Sequence, residues 1–182
     1  MIPYRKAKIQ NAIVFFAREH RKKTRKPLYQ TYLYKYLAFF DFISLREIGR
    51  PSLELVYRAM KRGPVPIEIY EKKADTPLYR FVKDELGEIV VTQNKPNMDF
   101  FSSYEIDLMH RLIEIYATRW MTTDVMSDAS HEDIAAWKRT YYQKPNTIID
   151  YTLEFDGDLL SKRENELTYP EEVYLTHKAM AS

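Results

Sequence analysis

Asp124, Asp128 and His131 have the spacing at which two carboxylates and an imidazole can share one helical face, a donor set that could hold a metal ion for hydrolysis. That chemistry requires one unbroken helix through all three. Ser130 reads as the N-cap of a new helix, which breaks the face and swings His131 aside. The run His131-Glu132-Asp133 offers acid and base groups, but adjacent helical residues do not face one another, so His131 is read as a capping or packing residue. No serine lies in a Gly-x-Ser-x-Gly setting, and with four glycines in the chain neither a Gly-x-Gly-x-x-Gly nor a Gly-Lys-Thr phosphate loop occurs. The chain has no cysteine, which removes thiolate nucleophiles, thiolate metal sites and disulfides, and favours a reducing cytosol. Asp41, Glu47 and Glu54 could supply paired carboxylates. Asp41, however, closes an apolar run, and a carboxylate buried there needs a donor, for which Arg50 and Tyr57 are the nearest in sequence. The pattern therefore predicts a structural network at Asp41, and no catalytic residue, metal or cofactor.

Charge is segregated along the chain although the net value is only +2. Arg18 to Lys26 is a basic run whose Arg21, Lys22 and Lys23 can neutralise phosphates, while Glu154 to Glu172 is mostly acidic. The competing reading of the basic run is a solvated helix end, with cations at the negative pole of the helix dipole. The small net charge favours that second reading, since nucleic-acid binders carry a basic excess over a whole domain. Fifteen tyrosines point the same way, toward protein contact, because tyrosine buries area at low entropic cost and keeps a polar tip.

The elements that must position these residues are mostly helical. With 182 residues, 45% hydrophobic and 30% charged, the composition is that of one globular domain, and no repeat or long linker suggests a second. The spacing of Ile9, Ala12, Ile13, Phe16 and Ala17 predicts a helix from about Tyr4 to Arg21. A second helix, from Thr31 into Glu47, is apolar on most of its faces and is expected at the centre. Ser52 is placed as the cap of a short helix through Lys61 that Gly63 ends, followed by another from Pro64 or Pro66 to Lys72. Leu78 to Phe81, Glu88 to Thr92 and Met98 to Phe101 read as strands of a small antiparallel sheet. Ser102-x-x-Glu105 is a capping box that opens an amphipathic helix. Thr122 or Thr123 caps a helix to Ala129, Ser130 caps another, and Trp137 lies on its inner face. Ile148 to Phe155 reads as a strand, and Pro170 to Met180 as a last helix. The fold class expected is α+β, mainly α, in a single domain with a core over about 5–155 and a C-terminal extension over 156–182. Met1 to Lys6 has no apolar signal core, and no uncharged run approaches the roughly 18 residues of a membrane span, so no membrane is expected.

The residues Thr31-x-Leu33-x-Lys35-x-Leu37-x-Phe39-x-Asp41-Phe42, Gly49-Arg50-Pro51-Ser52, Tyr57-x-Ala59-Met60 and Gly63-Pro64-Val65-Pro66 resemble the Panacea domain, the SocA-like antitoxin family also described as phage-associated proteins. Phe101-Ser102-x-x-Glu105, Ser130-His131, Ala136-Trp137 and Ile149-Asp150-Tyr151 are similar to its second half, in the same order. Tyr36, Ala38 and Phe42-Ile43-Ser44 depart from the family pattern, the last lacking a histidine often found after the aspartate. The resemblance implies an antitoxin without catalytic residues. It would neutralise a cognate protein toxin by contact, through occlusion or delivery to a protease. Asp41, Arg50, Tyr57, Gly63, Pro64, His131 and Trp137 would then be signature residues that support the partner surface. The alternatives from the residues alone are a nucleic-acid-binding regulator acting through Arg21, Lys22 and Lys23, and a metal-dependent hydrolase.

Overall fold

Every residue of one helix from Leu33 to Phe42 is buried, including Lys35 and Asp41, so this helix is wrapped on all sides by the rest of the chain. The computed structural model describes residues 4–73, 76–118 and 120–181. Met1 to Pro3, the start of the segment read as lacking a signal core, lie outside them. In chain order come α1 (Arg5–Thr24), β1 (Leu28–Tyr29), α2 (Gln30–Ile48), β2 (Tyr57–Met60), β3 (Gly63–Pro66) and α3 (Ile67–Lys72). They are followed by β4 (Tyr79–Lys83), β5 (Glu88–Thr92), α4 (Ser103–Tyr116), α5 (Thr123–Asp133), α6 (Ala135–Gln143) and α7 (Tyr169–Ala181). The architecture is α+β and mainly helical, the class the sequence pattern predicts.

The central helix is α2, and α1, α4, α5, α7 and the β2–β3 hairpin close around it. Aromatic packing fixes the angles: Phe16 of α1 stacks on Tyr36 at 4.9 Å and Phe39 stacks on Tyr116 of α4 at 4.6 Å. The capping box of α4 forms as expected, with Ser102 Oγ accepting from Glu105 N and Glu105 Oε2 accepting from Ser102 N. The other oxygen of Glu105 takes the Lys8 ammonium at 2.6 Å, which ties α4 to α1. β1, β5 and β4 form one antiparallel sheet with β5 in the middle, and β2 and β3 form a separate hairpin.

Four local expectations give way to tertiary contacts. Residues 52–61 are not a helix capped by Ser52: the chain stays extended and becomes β2, paired with β3 in the register Tyr57 to Pro66 and Met60 to Gly63. Met98–Phe100 is a single 3-10 turn, capped by the Asn97 carboxamide oxygen, rather than a strand. Ile148 forms only a bridge to Arg58, after which Asp150 caps a 3-10 turn over Tyr151–Glu154. Ser130 opens no helix. It sits within α5, its hydroxyl donating to the Ser127 carbonyl at 2.7 Å, and the next helix starts after Ile134.

Candidate functional site

Two oppositely charged side chains on α2 hold the two ends of one strap, the segment from Leu53 to the β2–β3 turn. Asp41 has no solvent exposure, and its carboxylate accepts from Leu53 N (2.5 Å), Leu55 N (3.1 Å), Tyr57 Oη (3.0 Å) and Tyr151 Oη (3.2 Å). The two backbone donors explain why residues 53–55 are extended: their N–H groups point at a buried anion instead of along a helix. Burial pushes the Asp41 carboxyl up to about 6, against the pull of the four donors toward the ionised form. The Tyr57 and Tyr151 hydroxyls are raised well above the usual phenol range, first by burial and then by the neighbouring carboxylate. Of the two donors expected from sequence, Tyr57 is present and Arg50 is not. The Arg50 side chain is exposed, and its carbonyl accepts from Ser44 Oγ at 2.6 Å.

Six residues earlier on α2, buried Lys35 donates its ammonium to the Arg62 carbonyl at the tip of the hairpin. Gly63 follows at once, and a Cβ there would collide with the Lys35 ammonium and stand 2.7 Å from Ser130 Oγ. The turn is clamped from its other side by Trp137, whose Nε1 donates to the Met60 carbonyl at 3.0 Å. His131 stacks on that indole, ring centroids 3.9 Å apart. Gly63, Pro64, His131 and Trp137 thus converge with Lys35 around one tight turn, whereas Asp41 and Tyr57 belong to the other end of the strap. Burial lowers the Lys35 ammonium to about 7, with the Arg62 charge adding to the effect. Burial, followed by the Lys35 charge, also lowers the His131 imidazole.

The shift at Lys35 has a definite pH consequence. Between pH 7 and 10 the native side chain has released a proton that the unfolded chain still holds. Stability therefore rises with pH across that window, by at most about 1.4 kcal/mol per unit. In urea unfolding at a series of pH values, wild type is expected to gain stability from pH 7.5 to 9.5, and Lys35→Met is expected to flatten that slope. Equal slopes in the two proteins would contradict the burial of the ammonium.

The metal-like constellation behaves differently from its reading in sequence. α5 runs unbroken through Asp124, Asp128 and His131, yet both aspartates are exposed and the imidazole lies flat on Trp137. Among the described residues, no group of three His, Cys, Asp or Glu side chains is placed to hold a metal ion. The basic run also divides. Arg18, Arg21, Lys22 and Arg25 line one concavity beside Val90 and Thr92, whereas Lys23 pairs with Glu114 of α4. His20, inside the basic run, is buried and shares a hydrogen bond of 3.0 Å with Tyr36 Oη. Burial lowers its imidazole to about 4. His177 pairs with Glu54 at 3.4 Å.

Sequence comparison places these contacts in a family. The model of the family described as "Antitoxin SocA-like, Panacea domain" matches residues 33–138, more than half of the chain. The chain belongs to the Panacea-domain family. No match was found among curated proteins or among solved structures. The matched region starts two residues before Lys35 and ends one after Trp137, so it contains the strap and most of its clamps. Tyr151, which donates to Asp41, lies beyond it. Antitoxin-like families of this kind are generally non-enzymatic. Among the described residues of this Panacea domain, no helix is long and apolar enough to cross a membrane.

Lys35 and Tyr151 stand in the family-like motifs without an assigned role, and His20 is not singled out by the sequence at all. The near-continuous apolar run on both sides of Lys35 marks a helix wrapped on most faces. A lysine inside it carried the available signal, because only a specific acceptor makes such burial tolerable. The motif marks Tyr151 but not its partner Asp41, which lies far away in sequence, and nothing marks His20.

Proposed function

We propose that this chain is the antitoxin of a toxin–antitoxin pair and neutralises a cognate protein toxin in the cytoplasm by direct contact. Membership of the antitoxin-like family carries this reading. The chemistry of the signature supports it. Asp41 and Lys35 would be the obvious acid and base of an active site, but backbone amides, a backbone carbonyl and two tyrosines engage them. Their work is to fix a shape. The residues Asp41, Tyr57, Gly63, Pro64, His131 and Trp137 accordingly support a partner surface that other side chains form, while Arg50 has no place in either clamp. Coexpression with the product of the adjacent open reading frame is expected to restore growth that the product alone arrests, and to yield a copurifying complex. Arrest that persists, with no complex formed, would overturn the reading. Adding a protease-deficient host separates occlusion, which survives there, from delivery to a protease, which does not.

A second reading rests on the one-sided basic stripe. Arg18, Arg21, Lys22 and Arg25 recur at i, i+3, i+4 and i+7 and surround a concavity of about 590 Å³, with Glu19 the one carboxylate among the described residues that line it. Such a stripe can follow a phosphate backbone without reading bases. A salt-dependent shift of duplex DNA, abolished in Arg21→Glu/Lys22→Glu and retained in Lys23→Glu, would establish it. Binding that is indifferent to salt and to these changes would remove it.

A further inference from the structure

A groove of about 590 Å³ opens beside the clamped hairpin turn, between the loop after α1, the start of α2 and the segment leading into α5. Its lining combines Lys26 and Arg62 with four threonines and two tyrosines, and no aspartate or glutamate among the described residues lines it. Its rim is apolar and unusually open. Leu86 is 84% exposed, and Trp120, between the lining residues Thr118 and Met121, is 88% exposed. A bare tryptophan costs solvation free energy in an isolated protein, and tryptophan and arginine are the residues that most often carry the energy of a protein interface.

Each presenting residue is held by a neighbour. The Arg62 backbone is fixed by Lys35, so that the buried ammonium of the signature sets where the exposed guanidinium stands. Lys26 N donates to Thr24 Oγ1 at 3.1 Å. The Asp84 carboxylate accepts from Leu86 N and Gly87 N, both at 2.9 Å, and from Tyr29 Oη, which leaves it engaged behind the groove. The turn at Trp120 is tied down by Tyr32 Oη donating to the Met121 carbonyl at 2.9 Å. A surface ordered in advance loses less entropy when it binds.

We propose that this groove receives an extended acidic segment of the toxin polypeptide, its carboxylates on Lys26 and Arg62 and an apolar side chain against Trp120 and Leu86. This rests on the antitoxin reading and names its contact surface. Charge complementarity selects the acidic segment, since Lys26 and Arg62 are exposed and, among the described residues, no acid lines the groove. The apolar rim selects a polypeptide, because a small anion would reach the cations without covering Trp120 or Leu86.

The test uses the complete chain and the coexpressed product of the adjacent open reading frame. Trp120→Ala, Leu86→Ser and Lys26→Glu/Arg62→Glu are each expected to weaken the complex at least tenfold and to lose growth rescue. Tyr142→Ala, which removes an aromatic side chain 76% exposed outside the groove, should leave both intact. Circular dichroism and melting temperature check that every variant is folded. Independently of any variant, the emission of exposed Trp120 in the wild type should shift to the blue when the complex forms. Rescue and affinity within twofold of wild type in all groove variants, or an unshifted emission, would overturn the groove while leaving the antitoxin reading in place. Failure of the wild type itself to rescue would overturn the antitoxin reading and the groove with it.

Discussion

Asp41→Ala is expected to lower the unfolding free energy by about 3–5 kcal/mol, the range for breaking a buried charged network from one side. The size follows from what is left behind. Four donors aim at this carboxylate from inside the core, two of them backbone N–H groups that no side-chain movement can redirect. Without the acceptor, the chain must bury unpaired amides or open the strap to water. For a domain of this length the loss corresponds to a melting temperature lower by about 6–20 °C. Asp41→Asn keeps the shape and one acceptor, but turns an NH₂ toward Leu55 N–H, so an intermediate loss is expected. Tyr57→Phe removes one donor of four and should cost about 1 kcal/mol. A melting temperature within 2 °C of wild type for Asp41→Ala would refute the network.

The same residue predicts a pH signature opposite in sign to that of Lys35. Its native carboxyl titrates at about 6, above its ordinary value, so from about pH 4 to 6 the native state keeps a proton that the unfolded state has released. Stability contributed by Asp41 is therefore present at low pH and lost as pH rises through 6. Glu154, raised to about 7 by burial, adds to this trend, and His20 opposes it below pH 6.5. His131, lowered by burial, acts in the same direction as His20, so the raw stability curve blends several groups. The informative quantity is the difference between wild type and Asp41→Asn, which should move in favour of wild type as pH falls from about 6 to about 4 and stay constant above 6.

Which parts of this fold could be read in the sequence follows from which interactions are local. The periodicity of α1 and α2, the capping box before α4, the Thr122 cap and the β4–β5 pair all depend on contacts within a few residues, and they stand where the pattern puts them. Residues 52–61 mislead for a reason visible only in three dimensions. Ser52, Leu55, Ala59 and Met60 satisfy a helical template, but Asp41 claims the amides of Leu53 and Leu55, the Thr147 carbonyl claims that of Ala59, and β2 pairs with β3. Ser130 misleads because one hydroxyl can cap a helix or turn back on the i−3 carbonyl within it, and buried packing against the Gly63 turn decides. At the candidate surface, the clamps at Asp41 and Tyr57 were legible as a charge that needed a donor. The groove was not, since Lys26, Arg62, Leu86 and Trp120 come from four separate segments and meet only through the fold.

Gly49→Ala should be the second most damaging of these changes, by about 3 kcal/mol and roughly 6–12 °C in melting temperature. Gly49 ends α2 at φ +73°, its N–H donating to the Leu45 carbonyl at 2.9 Å. Holding alanine in that left-handed conformation costs about 1–2 kcal/mol. The second part is steric: the new Cβ would strike the Pro170 carbonyl oxygen and lie 2.8 Å from Val173 Cβ, both on α7. Backbone on one side and a β-branched residue on the other leave it no room, so α7 must lift from α2 and carry Tyr174 away from Phe155. Gly157→Ala separates the two contributions. It has almost the same angle, φ +74°, but its nearest neighbour is Lys162 Cε at 3.8 Å, so only the conformational cost applies. The excess loss in Gly49→Ala over Gly157→Ala therefore measures how firmly the last helix is docked. Limited proteolysis gives the local readout, with faster cleavage between residues 156 and 168 expected in Gly49→Ala alone. Equal losses in the two variants, with unchanged cleavage, would mean that α7 yields to the added methyl at no cost.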